Sequence, residues 1–347
     1  MRKVKIFDSS LRDGSHAVKQ QLFPEQIEAY CDAVDGSGLH TVIVGHGNGL
    51  GASSIQMGLS AMDEVDMVRV AHNHLKKTRL GTFVTVGFGT IEDHIKPAMA
   101  CGTEVFCIAT HCTESDTMRR HVQYVSRHGK EVYGVLMNCH LTSINSLVEQ
   151  AKNIASYGGD GVILMDSAGT FIPDQISRIV EELCNHVDID IGFHAHNNLS
   201  MAVANSYAAI SSGASIIDGT VLGFGAGAGN CQLEALIALM EKNGIRTGID
   251  LYRLMDAGKN VISGMMHYDR GIDGTCIISG YAGVVSTFRT KVEYIAKMKN
   301  VDPRDVFLAL GERKAIAGQD DLILEVANHL AEHGKRYGGN HGKFGKI

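Results

Sequence analysis

Gly161-Val162-Ile163-Leu164-Met165, followed at once by Asp166-Ser167, is the stretch that decides the fold. The run is apolar on both faces, as a strand must be in a parallel sheet covered on its two sides. Working outward, comparable short runs occupy 3–8, 40–45, 80–85, 104–109, 131–137, 189–194 and 215–219. Between them lie stretches of helical periodicity at 24–37, 61–76, 114–128, 143–157, 173–186 and 199–212. Pro24-Glu25 and Pro173-Asp174 place proline and an acid in a first helical turn. Eight strands joined by helices predict a closed (β/α)8 barrel over residues 1–245.

After about residue 243 the alternation stops. Residues 250–263, 286–299, 303–311 and 321–334 read as helices without strands between them. They predict a helical C-terminal domain over 246–335, then a mobile tail over 336–347 rich in Gly, Lys and His. The 347 residues suit that division, since a barrel alone takes about 250.

A formal charge of −6 argues against nucleic-acid or anionic-membrane partners. No apolar run approaches the ~20 residues that span a bilayer. Arg2-Lys3 lead straight into a strand pattern without a signal-peptide core. The eight cysteines are scattered singly and form no Cys-x-x-Cys pair, which suggests neither structural zinc nor a disulfide framework. A cytoplasmic homo-oligomer is expected.

In a barrel, chemistry gathers where strands end at their C-termini. Asp8-Ser9-Ser10-Leu11-Arg12-Asp13-Gly14-Ser15-His16 follows the first strand, and His194-Ala195-His196 closes the seventh. His46, His111, Asn138, His140 and Asp166-Ser167 follow strands between them. Side chains two apart on a strand share a face, so His194 and His196 aim together. Asp13 arrives from a strand separated from theirs by only one other. One carboxylate and two imidazoles suit Mn²⁺ or a similar divalent ion, and the Arg12 guanidinium suits a carboxylate or enolate oxygen. Taken singly, His-x-His is often surface polarity, Asp-Gly a turn and Arg12 a rim ion pair. Their joint placement at strand ends favours a metal site.

The glycine run Gly223 to Gly229 superficially invites a dinucleotide reading. It follows a late strand, and Glu234 and Glu241 fall inside the next helix, which is the wrong context. A lid or a backbone anion site is the expectation instead. Cys231 reads as a packed thiol, and His72, His74 and His267 as surface or structural residues.

Leu11-Arg12-Asp13-Gly14 with His194-Ala195-His196 resembles the metal-dependent lyase and synthase superfamily of (β/α)8 barrels that carries a D-x-x-L-R-D-G motif on strand one. Within it, the chain is most similar to the 4-hydroxy-2-oxovalerate aldolase family. The similar stretches are LRDGSHA at 11–17, ATHCTE at 109–114, MDSAG at 165–169, HAHNNLS at 194–200 and GAGAGN at 225–230. DLYRLMDA at 250–257, GYAG at 280–283 and AGQDD at 317–321 carry the likeness through the helical end.

The resemblance implies a class II aldolase that makes or cleaves a 4-hydroxy-2-oxo acid, with pyruvate or 2-oxobutyrate as one partner and an aldehyde as the other. A divalent metal, Mn²⁺ or else Co²⁺ or Mg²⁺, would be held by Asp13, His194 and His196, with Asn230 supporting these ligands. Arg12 would stabilise the enolate oxygen, His16 would handle the 4-hydroxyl proton, and the backbone near Ser167 would hold the substrate carboxylate. An acylating aldehyde dehydrogenase, docked through the C-terminal domain, is the implied partner.

Two departures bear on the aldehyde. The family's proton-donating tyrosine is replaced by Val285, which leaves two candidates for the donor: Tyr281, four residues earlier and otherwise a packing residue, or a metal-bound water. Leucines that shape the family's aldehyde pocket are replaced around Phe83, Val84, Thr85 and Val86. Phe83, Thr85 and Val285 are thus expected to line a pocket for an aldehyde other than acetaldehyde, and condensation becomes a candidate direction. Asn48 stands where an acid is common. The alternatives are a Claisen-type synthase joining an acyl-CoA to a 2-oxo acid, or a degenerate, non-catalytic aldolase-like subunit.

Overall fold

A computed structural model describes residues 4–266 and 272–333. Eight parallel strands close into a barrel in sequence order. They are β1 (Lys5–Asp8), β2 (Thr41–Val44), β3 (Arg79–Thr85), β4 (Val105–His111), β5 (Glu131–Met137), β6 (Gly161–Asp166), β7 (Asp190–Ala195) and β8 (Ile216–Gly219). Every residue of β6 is buried, as its two-sided apolar pattern requires. Phe7, Ile43, Phe83, Val105, Tyr133, Ile163 and Ile216 belong to the packed core inside the barrel. A larger cluster fills the layer between the strands and the outer helices. Pro24–Val34 and Pro173–Cys184 form helices with proline in the first turn, each stopping short of the expected end.

The helical end has its own core of Val284, Val285, Phe288, Val292, Val306, Phe307, Leu310, Ile323 and Val326. The helices between Leu251 and Met265, expected with that appendage, pack against the barrel instead. Their apolar residues Leu254, Ala257, Ile262 and Met265 join the barrel's outer cluster. A helix at Gly274–Ala282 escapes the sequence reading because glycines interrupt its periodicity; Asp273 caps it by accepting the Cys276 N–H at 2.9 Å. The expected tail over 336–347 and His267 lie outside the described residues. No helix among the described residues is long and apolar enough to cross a membrane.

Candidate active site

Parallel pairing fixes the register that builds the site. His194 on β7 stands opposite Asp218 on β8, and Phe7 on β1 opposite the same Asp218. β1 therefore ends beside the β7 histidines, and the loop after it carries Arg12 and Asp13 over them. One ligand atom from each of Asp13, His194 and His196 lies within 4.8 Å of the others, and all three residues are buried. His194 Nδ1 donates to Asp218 Oδ2 at 2.8 Å, so the ring's lone pair sits on Nε2. That Nε2 is buried without a hydrogen-bond partner, as is Nδ1 of His196. Buried nitrogens left without partners beside a carboxylate are what a divalent cation would satisfy, and the His–Asp218 contact is the usual support for such a ligand.

Electrostatics agree with that use. Burial pushes the Asp13 carboxyl up, but the Arg12 guanidinium and the neighbouring histidines outweigh it and hold the group well below the usual carboxylate range. Burial pushes the His196 imidazole down to about 4, against the pull of Asp13, so it is neutral and able to ligate. Asn230 donates its amide N–H to Asp13 Oδ2 and keeps a buried Oδ1 without a partner. The glycine run packs tightly around this pair. A Cβ at Gly225 would fall 2.7 Å from Asp13 Oδ2 and closer still to the Asn230 amide, so only glycine fits. Cys231, next in the chain, is fully buried with its thiol pushed up to about 12, a packed residue as expected.

Arg12 is 3 % exposed and held on several sides. Its Nη1 lies 3.0 Å from Asp13 Oδ1, its Nη2 3.7 Å from Asp218 Oδ2, and its guanidinium stacks 4.3 Å above the Phe83 ring. His16 places Nε2 3.9 Å from Asp13 Oδ1. A Cβ on Gly47 would come within 2.5 Å of the His16 ring, so glycine there makes room for the histidine.

These groups open into a cavity of about 320 Å³. Arg12, Asp13, His16, Phe83, Thr85, Ser167, His196 and Val285 all line it, together with His111 and Asn138. Thr85 donates to the Asn48 carbonyl at 2.8 Å, and Ser167 Oγ accepts the Asn138 N–H at 3.0 Å. Tyr281, expected as a proton donor, does not join them. It is 53 % exposed on the helix Gly274–Ala282 and lies outside the cavity lining. His46 is likewise outside: it is buried, bonded through Nε2 to the Gly58 carbonyl, and structural. His140 donates to the Gly283 carbonyl at 2.9 Å and ties the barrel to the helical end.

Further contributors have no place in the sequence reading. Asp218 closes β8 in Ile216-Ile217-Asp218-Gly219, and the strand-end rule that found the histidines would have found it. Gln20 lies behind His16, with no pattern to mark it. Ser286 and Ile316 to Gly318 reach the cavity from the helical end, a contact no local pattern encodes.

Residues 3–261 match the HMGL-like family model, and residues 270–332 match the DmpG-like communication domain. The 4-hydroxy-2-oxovalerate aldolase of Spirochaeta aurantia is 48 % identical over 333 residues, covering 96 % of this chain and 98 % of that relative. The chain belongs to the 4-hydroxy-2-oxovalerate aldolase family. The enzyme of that name from Pectobacterium atrosepticum is 46 % identical over 331 residues, 95 % of this aldolase and 96 % of its own length. Among solved structures, the carboxyl transferase domain of Rhizobium etli pyruvate carboxylase superposes with a TM-score of 0.77 at 13 % identity. It covers 96 % of this aldolase and 61 % of that chain, a likeness of fold alone. The aldolase is thus a carbon–carbon lyase built on a (β/α)8 barrel, with a group of side chains able to hold a divalent metal.

Proposed function

We propose that this cavity cleaves and forms 4-hydroxy-2-oxo acids, with pyruvate or 2-oxobutyrate on one side and an aldehyde other than acetaldehyde on the other. The observation that carries this reading is the buried Asp13, His194 and His196 group with the Arg12 guanidinium 3.0 Å from its carboxylate. When bound there, a divalent ion (Mn²⁺ first, with Co²⁺ or Mg²⁺ able to replace it) supplies Lewis-acid polarisation of the 2-oxo acid.

The protein's own groups do the rest. Arg12, rigidly held against Phe83, meets the negative charge that grows on the keto oxygen as the C3–C4 bond breaks. His16 faces the 4-hydroxyl and exchanges its proton. The turn at Ser167 holds the substrate carboxylate. Asp166 orders that turn by accepting the Thr170 and Phe171 N–H groups at 3.0 and 3.1 Å. Phe83, Thr85 and Val285 shape the aldehyde end. Val285 presents an aliphatic wall where a tyrosine would occupy space, which supports a larger or more apolar aldehyde and condensation as a working direction.

The communication-domain match over 270–332 supports an acylating aldehyde dehydrogenase docked on the helical end, exchanging the aldehyde with this cavity. We take the barrel as one unit and the helical end as a second, in a cytoplasmic homo-oligomer.

Manganese-dependent exchange of the pyruvate methyl protons for deuterium tests the reading, because exchange requires the enolate. Exchange that disappears in Asp13→Asn supports it. Its absence with metal bound would favour a degenerate subunit, and free CoA released from acetyl-CoA would favour a Claisen-type synthase.

A further inference from the structure

Gln20 lies outside the cavity lining, directly behind His16. Its φ of +66° follows Lys19 at +54°, two consecutive non-glycine residues in the left-handed region. Such conformations persist where the surroundings enforce them, commonly beside a working site. The side chain is buried, at 5 % exposure, and makes two contacts. Its Oε1 accepts the Gly47 N–H at 2.9 Å, and its Nε2 lies 3.1 Å from His16 Nδ1.

The first contact decides the second. A backbone N–H only donates, so the amide oxygen of Gln20 must face Gly47 and its NH₂ must face the imidazole. His16 Nδ1 is then an acceptor. At pH 8, well above the ordinary imidazole range, the ring is neutral and carries one proton. With Nδ1 accepting, that proton sits on Nε2, the nitrogen nearest Asp13.

We propose that Gln20 is a positioning residue that fixes His16 as the Nε2–H tautomer, so that the ring first meets a substrate oxygen as a hydrogen-bond donor. This rests on the role given to His16 above and sharpens it. An aldehyde carbonyl oxygen can only accept, and the tautomer held by Gln20 suits it. To take up the 4-hydroxyl proton at Nε2, the ring must first move its own proton to Nδ1, where it opposes the Gln20 N–H. The resting protein is therefore set for the incoming aldehyde.

The test is the ring nitrogen spectrum of ¹⁵N-histidine-labelled, Mg²⁺-loaded protein at pH 8 without substrate. His16 is assigned by its loss in His16→Asn. Nε2 is expected to carry the proton by at least about ten to one, the bias of one donor facing another when reversed. Gln20→Glu keeps an oxygen for Gly47 and puts a second one opposite Nδ1, so Nδ1 is expected to gain a proton. A proton on Nδ1 in the unaltered protein overturns the proposal, as does an unchanged spectrum in Gln20→Glu. If that variant does not fold, the unaltered protein alone decides. Because no substrate is present, failed pyruvate exchange with the Nε2–H tautomer intact would sink the aldolase reading and leave this one standing.

Discussion

Asp218→Asn is the most informative substitution in the site. Asp218 Oδ2 accepts from His194 Nδ1 at 2.8 Å, and Oδ1 accepts from Ser9 Oγ at 2.7 Å. Asparagine has nearly the same shape, so packing is preserved. Its amide oxygen still suits the Ser9 hydroxyl, which leaves the NH₂ against His194 Nδ1. That arrangement moves the ring proton to Nε2, the nitrogen proposed above to ligate. It also removes the negative charge 3.7 Å from Arg12. Loss of such a supporting contact typically costs about 10- to 100-fold in metal affinity, or roughly 1.4–2.8 kcal/mol. Titration of the metal-free protein with Mn²⁺ by calorimetry or by the loss of the free-ion resonance reads this directly, with circular dichroism confirming the fold. A folded Asp218→Asn protein that binds Mn²⁺ as tightly as the unaltered one would refute the assignment of His194 Nε2 as a ligand.

Three further outcomes are expected. Arg12→Lys should keep the metal but slow pyruvate methyl exchange by about 10²–10³, the usual loss when one preorganised donor to a developing oxyanion is removed; equal exchange rates would remove Arg12 from that role. Val285→Tyr should narrow the cavity and lower kcat/KM for a four-carbon aldehyde relative to acetaldehyde by about 10-fold or more, a scale set by one or two methylenes; an unchanged ratio would show that the aldehyde lies elsewhere. Asp8, fully buried, has its carboxyl raised to about 6 by burial, partly offset by hydrogen bonds from Ser10 and Tyr30. A raised carboxyl stabilises the fold in its protonated form, so its contribution is full below about pH 4 and is lost as pH rises through 6. Asp8→Asn should therefore gain stability relative to the parent between pH 4 and 7, by roughly 3 kcal/mol for a shift of about two units. Parallel stability curves in urea would contradict it.

Much of this molecule could be read from its residues. The strands were legible because each is a short run built around apolar residues, and β6, apolar on both faces, is the clearest case. Asp13, His194 and His196 stand out because charged and imidazole side chains gather where the strands end, but the same rule also picks His46 and His140, which hold backbone carbonyls instead. Asp218 obeys the same rule, yet its place before a glycine reads as a turn. Tyr281 misled because chain proximity to Val285 says nothing about the direction of its helix face, which points it away from the cavity lining. Gln20 was invisible since its value lies in two hydrogen bonds, one to a residue 27 positions away. The cavity wall formed by Ser286 and Ile316 to Gly318 depends on docking the helical end over the barrel, and tertiary contacts of that kind leave no local periodicity.

One measurement reaches the centre of the account: the stoichiometry and ligand set of bound Mn²⁺, read by electron paramagnetic resonance on the parent protein and on Asp13→Asn and His196→Gln. One tightly held ion per chain is expected, with ¹⁴N couplings from histidine that weaken in His196→Gln, and no tight site in Asp13→Asn. An ion bound equally well by all three proteins, or none bound by the parent, would contradict it.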